Sequence, residues 1–228
     1  KEALVGYGVE LIYQEVDDFN GQVTWLTDFC NKHNAFDVVA NSEVEFNEVK
    51  RDVNIISAGI NLHLFESDVI VPKGKVLNKS GEMYKVFTPF KNEWLKKVKA
   101  IGFDYASKSE FTSYLASEIN LVCSTEALTT TYPTESSNAW PLATEVQSTV
   151  IPNFLTDKIA SYQNSRDIPG VRGTSGLSAY LAIGAISVRY LLALLLQRYP
   201  DILSKSPESE FTWLNELIWR EFYRHLLF

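Results

Sequence analysis

The sequence predicts an α/β unit followed by an all-helical one: a thin, doubly wound parallel sheet, a long connector, then helices without strands. Three observations carry this. Short apolar runs alternate with helical periodicity over the first seventy residues; turn markers and a Ser/Thr-rich stretch occupy about residues 72 to 143; and from Asn153 onward only helical spacing remains.

The runs Leu11-Ile12-Tyr13, Phe36 to Ala40, Leu62 to Phe65 and Val69 to Val71 read as strands buried in a sheet. Between them, Asn20 is placed to cap a helix carrying Val23, Leu26, Phe29 and Cys30. Val49, Val53, Ile56 and Ile60 recur at the spacing of a second helix and predict its core face. Strands joined by helices of this length imply right-handed crossovers and a parallel sheet. Lys1 to Val9 reads as a helix tail with no strand before it, so further N-terminal residues are expected.

Pro72, Gly74 and Gly81 mark turns, and the stretch from Ser124 to Asn138 has connector chemistry. One segment there, Met83 to Leu95, is too rich in aromatics for a loose linker and is expected to pack. Further on, Leu177 to Gly184, Val188 to Tyr199 with Ser187 as cap and Pro200 as stop, and Glu208 to Leu227 predict three helices. The units are expected at 1–71, 72–143 and 144–228.

A chain of 228 residues that is 46% hydrophobic and 21% charged can bury a core, and no run of about 18 apolar residues exists to span a bilayer. The first residues lack the order of a signal peptide, so an intracellular, cytoplasmic protein is expected. Cys30 and Cys123 lie far apart in apolar contexts and read as buried thiols; His33, His63 and His225 show no ligand spacing, so no metal site is expected. A net charge of −7 argues against a generally basic nucleic-acid binder, while leaving room for a local basic face near the C-terminus.

Three places could carry chemistry. Gly173-Thr174-Ser175-Gly176-Leu177-Ser178 leads straight into a helical run, where hydroxyls and unpaired N–H groups could bind phosphate or simply cap the helix. On the last helix, Trp213, Glu216, Trp219, Arg220, Tyr223 and Arg224 share one arc, opposite Leu214, Ile218, Phe222 and Leu226. That arc suits a planar aromatic ligand with polar edges, or equally a packed domain interface. Asn47 and Glu48 stand in the first turn of the helix after Ala40, where a parallel sheet binds ligands; an acidic first turn also serves the helix dipole alone.

The run from Trp213 through Leu226, containing Trp-Arg-Glu-Phe-Tyr-Arg-His, resembles the signature helix of bacterial cyclobutane pyrimidine dimer photolyases of the photolyase and cryptochrome family. Gly173 to Ser178 with Tyr180 to Gly184 resembles that family's flavin phosphate segment. Met83 to Leu95 is similar to its connector, and Glu45 to Glu48 with Arg51-Asp52 to its folate antenna segment. Gly176 departs from the pattern where many relatives carry a basic side chain, and Val49 where close relatives carry arginine.

The resemblance implies a partial Rossmann-like antenna domain joined by a connector to the first helices of an all-α FAD-binding domain. It implies light-dependent DNA repair, the splitting of dimers by electron transfer from photoexcited reduced FAD, and hence a deoxyribodipyrimidine photo-lyase acting as a monomer on damaged DNA. Tyr162, Thr174, Ser175, Leu177, Ser178 and Arg220 would contact FAD. Glu216 and Trp219 would be catalytic and face the flipped-out lesion, with Arg166 and Tyr223 on the DNA. Asn47 and Glu48 would hold a 5,10-methenyltetrahydrofolate antenna. The alternative in the same family is a blue-light receptor that signals through a protein partner without repair. The resemblance also implies a piece lacking both ends, inactive by itself.

Overall fold

The computed structural model describes residue 4 and residues 9–102, 131–133, 135–204 and 208–228. The expected helix tail at Lys1 to Val9 falls, save Leu4 and Val9, outside the described residues, as do Cys123 and most of the Ser/Thr-rich stretch.

The N-terminal part is built from α1 (Phe19–His33), β1 (Asp37–Asn41), α2 (Phe46–Ser57) and β2 (Asn61–Phe65). The strands are parallel, Asp37 facing Asn61 and Asn41 facing Phe65, with α2 as the crossover. The cap of α1 is Asp18, two residues before the expected Asn20; its carboxylate accepts from Gly21 N–H at 2.7 Å. Asn34 closes the helix at φ 51°, a left-handed turn that asparagine tolerates. A small core of Cys30, Ile55 and Ile60 forms beneath the strands.

Three expectations are corrected here. Leu11-Ile12-Tyr13 forms no strand; it is extended chain without a ladder among the described residues. Apolar composition favours a strand, but a strand also needs a partner edge, and β1 gives one edge to β2 while no described residue pairs with 11–13. Of the residues expected to form the core face of α2, Val49, Val53 and Ile56 are about half exposed and only Ile60, just past the helix, is buried, while Asp52 and Ile55 are buried instead. Periodicity fixes which residues share a face, and the two-stranded sheet covers a different one. Val69 to Val71 is buried, as a core strand would be, yet it pairs with no other strand among the described residues.

The remaining helices are α3 (Phe87–Ile101), α4 (residues 143–165), α5 (Ser178–Ala182), α6 (Val188–Arg198) and α7 (Glu208–Leu227). The packing expected of the aromatic segment is present: Phe90 and Trp94 on α3 are fully buried against α7. α4 mixes α, π and 3₁₀ turns. Pro152 near its middle has no N–H to donate, and π turns lie on both sides of it. Ser187 caps α6 as expected, accepting from Arg189 N–H at 3.2 Å.

One hydrophobic core joins residues 70–76, α3, α4, α6 and α7, with Leu191, Leu192, Leu195, Leu214 and Ile218 at its centre. On α7 the arc expected to be core is buried except at its end, where Leu226 is exposed.

Candidate cofactor and lesion site

A cavity of about 530 Å³ opens between the end of α4, the loop before α5 and one side of α7. Its size is ordinary for a small-molecule site. Tyr162 comes from α4, Thr174, Ser175, Leu177 and Ser178 from the loop and start of α5, and Glu216 and Arg220 from α7. Seven residues singled out in sequence segments far apart thus line one space.

Local chemistry explains the loop. Gly173 lies so close to α4 that a Cβ there would sit 2.4 Å from the Ser165 hydroxyl and 2.9 Å from its backbone carbon. Gly176 turns the chain at φ +67°, a conformation glycine adopts without penalty. Together they bring Thr174 and Ser175 to the cavity wall. α5 has only five residues, so the expected dipole contribution is slight and polarity at this end rests on the hydroxyls.

On the opposite wall, Glu216 accepts from Arg166 at 2.5 Å, and Arg166 lies over the Tyr162 ring at 5.5 Å. The bond to Glu216 raises the pKa of Arg166, and burial raises that of Tyr162. Arg220 donates to the carbonyls of Asp68 and of Leu181, the latter at 3.3 Å. Burial pulls its pKa down, with Asp68 and Glu221 acting in opposition.

Trp219 and Tyr223 stand beside the cavity rather than in its wall. The Trp219 ring is stacked on Phe87 and also lies near Tyr223, with ring centroids 5.6 Å apart. Asn47 and Glu48 occupy the first turn of α2, away from the cavity. Their neighbour Glu45 reaches α7, accepting from Arg224 at 3.0 Å.

Sequence reasoning missed Glu221. It is fully buried, accepting from Trp94 Nε1 at 2.5 Å, from Val71 N–H at 3.3 Å and from Ile70 N–H. The available signal was an acidic residue lying within the apolar arc of α7, beside Ile218 and Phe222. Arg189 and Phe87 were missed too; both act through contacts distant in sequence.

Comparison with known proteins decides the family. The DNA photolyase family model matches residues 1–109. The deoxyribodipyrimidine photo-lyase of Escherichia coli (strain K12) is 37% identical over 229 residues, covering 99% of this chain. The chain belongs to the DNA photolyase family. The photo-lyases of Salmonella typhimurium and Vibrio cholerae serotype O1 are 36% and 33% identical, over 99% and 100% of this chain. These matches take up 47% of the E. coli and Salmonella proteins and 49% of the Vibrio one, so the chain spans about half the length of these curated photolyases. A bacterial class III photolyase from Agrobacterium tumefaciens superposes with TM-score 0.63, at 20% identity, over 90% of this chain and 43% of that one. At that identity the likeness supports the photolyase fold alone. The cavity suits a flavin nucleotide: three hydroxyls and a tight backbone turn lie on one wall, and aromatic and cationic groups on the other.

Proposed function

We propose that the protein is a light-driven DNA repair enzyme of the deoxyribodipyrimidine photo-lyase type, acting on cyclobutane pyrimidine dimers. The observation that carries this is the gathering of Tyr162, Thr174, Ser175, Leu177, Ser178, Glu216 and Arg220 around one cavity. The family resemblance assigns these residues, from separate segments, to a single flavin and lesion site.

In this reading Thr174, Ser175 and Ser178 donate hydroxyl hydrogen bonds to the FAD phosphates, and Tyr162, Leu177 and Arg220 complete the contacts. FAD, when bound, supplies light absorption and electron donation. Glu216 hydrogen-bonds the polar edge of the flipped dimer, and Trp219 offers it an indole surface. Arg166 and Tyr223 serve the DNA. Arg166 is at the same time the cation that holds Glu216, which orients that carboxyl before any substrate arrives. Asn47 and Glu48 would take a methenyltetrahydrofolate antenna through their hydrogen-bonding edges.

The division into a Rossmann-like antenna unit (1–71), a connector (72–143) and the start of a helical FAD unit (144–228) belongs to this proposal, as do a monomeric state and a cytoplasmic location. Among the described residues no helix is long and apolar enough to cross a membrane. The 228 residues alone are expected to bind FAD weakly and to be inactive.

The test is dimer loss from an ultraviolet-irradiated oligonucleotide under blue light, with a chain of the relatives' full length. Loss of dimers that requires light and fails in Glu216→Ala is expected. Flavin binding without any dimer loss would overturn repair and favour a light receptor.

A further inference from the structure

Residues 68–71 form a strap, buried from Val69 to Val71, that joins no sheet among the described residues, yet its four carbonyls and two of its amides are bonded. The carbonyl of Asp68 accepts from Arg220, that of Val69 from Arg189 Nε at 3.2 Å, that of Ile70 from Arg189 Nη2 at 2.9 Å, and that of Val71 from His225 Nε2 at 3.1 Å. The amides of Ile70 and Val71 both donate to the Glu221 carboxyl. Side chains of α6 and α7 thus do for the strap what a neighbouring strand would do, as buried backbone requires. Glu221 is the one group here that supplies acceptors. It also takes the Trp94 indole N–H, and so joins the strap, α3 and α7 at a single point.

We infer that Glu221 is a positioning residue, which fixes the place of Arg220 in the cavity wall by clamping strap 68–71 and Trp94 onto α7. Arg220 directly precedes Glu221 in the helix and ends on the carbonyl of Asp68, the first residue of that strap. If the strap shifts, the guanidinium loses its anchor. The significance for a cofactor rests on reading the cavity as the flavin site; the clamp itself does not.

The groups facing Glu221 are few. Arg220 is the charge that acts on it, the strap gives two amides and α3 the indole. Arg189 of α6 bonds the adjoining carbonyls, His225 bonds Val71, and Asp68 is held by Lys73 and Arg224. Burial pushes the Glu221 carboxyl up to about 7, against its three donors. Opening the strap returns the carboxyl to water and its ordinary value. Glu221 by itself therefore protects the closed strap best below about pH 4.5, with protection falling as pH rises and levelling off above about 7, while His225, whose pKa burial pulls down, acts in the opposite sense.

The experiment follows amide exchange of residues 66–75, and the ¹⁵N guanidinium signals of Arg220, in the 228-residue chain from pH 4.5 to 9. Arg220 signals are assigned as those missing in Arg220→Lys. In the wild type, protection at Ile70 and Val71 falls at least tenfold across this window. In Glu221→Gln, which keeps the neutral shape, the fall with rising pH is lost and only the opposite trend of His225 remains. In Glu221→Ala, which removes the acceptors, the Arg220 signals collapse toward those of an exposed arginine while those of Arg166 stay put. Trp94→Phe, which removes one donor to the ionised form, moves the levelling-off to higher pH. Unchanged Arg220 signals in Glu221→Ala, or a strap whose exchange has the same pH dependence in Glu221→Gln and Trp94→Phe as in the wild type, would overturn the inference. A parallel FAD titration separates the two readings: a wild type in which the strap behaves as stated, but FAD leaves the Thr174 and Ser175 signals unmoved up to millimolar concentration, counts against the flavin site and leaves the clamp standing.

Discussion

Phe87 lies flat on Trp219, with ring centroids 3.6 Å apart and planes 6° from parallel. The contact ties the first residue of α3 to the arc of α7 that carries Glu216 and Arg220. It also covers one face of the indole that the proposed repair reaction would offer to a flipped base. Phe87→Ala is expected to increase acrylamide quenching of the Trp219 emission, identified by its loss in Trp219→Phe. The stability cost should be about 2 kcal/mol, combining lost apolar burial with the loss of one aromatic pair. Quenching that does not change would show that Phe87 does not cover the ring in solution.

Gly173 and Gly176 lie three residues apart and are expected to differ sharply on substitution. A methyl at Gly173 meets the backbone of Ser165, which cannot swing aside, so Gly173→Ala should cost about 3 kcal/mol and displace the loop carrying Thr174 and Ser175. At Gly176 a methyl meets nothing within 4 Å, leaving only the left-handed backbone, and Gly176→Ala should cost about 1 kcal/mol. Urea unfolding of both variants measures the difference. Equal costs would mean that the close approach to α4 is not maintained.

What the sequence disclosed follows the range of the forces involved. Ser187 as a cap and the span Glu208 to Leu227 were legible because capping and helical periodicity act within a few residues. Leu11 to Tyr13 and Val69 to Val71 were misread because a strand is defined by its partner, and apolar composition does not name one. The loop 173–178 and the arc with Glu216 and Arg220 were singled out by local rules, a hydroxyl-rich helix start and an amphipathic helix, while Tyr162 and the assignment to one site came from the family resemblance. Glu221 escaped because charge on a helix is ordinarily read as a solvated face, whereas its partners lie 127 to 151 residues away.

Asp68 is where strong acid should loosen the contact between the strap and α7. Burial by itself would raise this carboxyl, but Lys73 at 2.7 Å and Arg224 at 2.5 Å outweigh it and hold its pKa below the usual value. A carboxylate depressed in the folded state contributes stability that is present above its unfolded pKa and lost as pH falls below it. Asp68→Asn should therefore destabilise at pH 7 by about 3 kcal/mol, because it leaves the buried Lys73 ammonium without its partner. The gap between variant and wild type should shrink steadily below pH 4. Thermal melts at pH 7, 5 and 3 check this, and a gap independent of pH would exclude the ion pairs as its cause.

The Arg166–Glu216 pair separates stability from function. Both side chains are about a third exposed, so solvent screening limits the pair to under about 1 kcal/mol, and Arg166→Ala should barely change the unfolding midpoint. Its larger effect is on orientation. Without the cation at 2.5 Å, the Glu216 carboxyl is free to turn away from the cavity, and the Tyr162 ring loses the guanidinium lying over it. In a chain of the relatives' length, dimer splitting per absorbed photon should fall severalfold in Arg166→Ala. Arg166→Lys should recover part of it, because an ammonium restores the charge but not the forked geometry. Affinity for undamaged DNA should fall by a smaller factor in both variants. If splitting is unaffected and only DNA affinity falls, Arg166 is a phosphate contact alone, and Glu216 is oriented by something other than this pair.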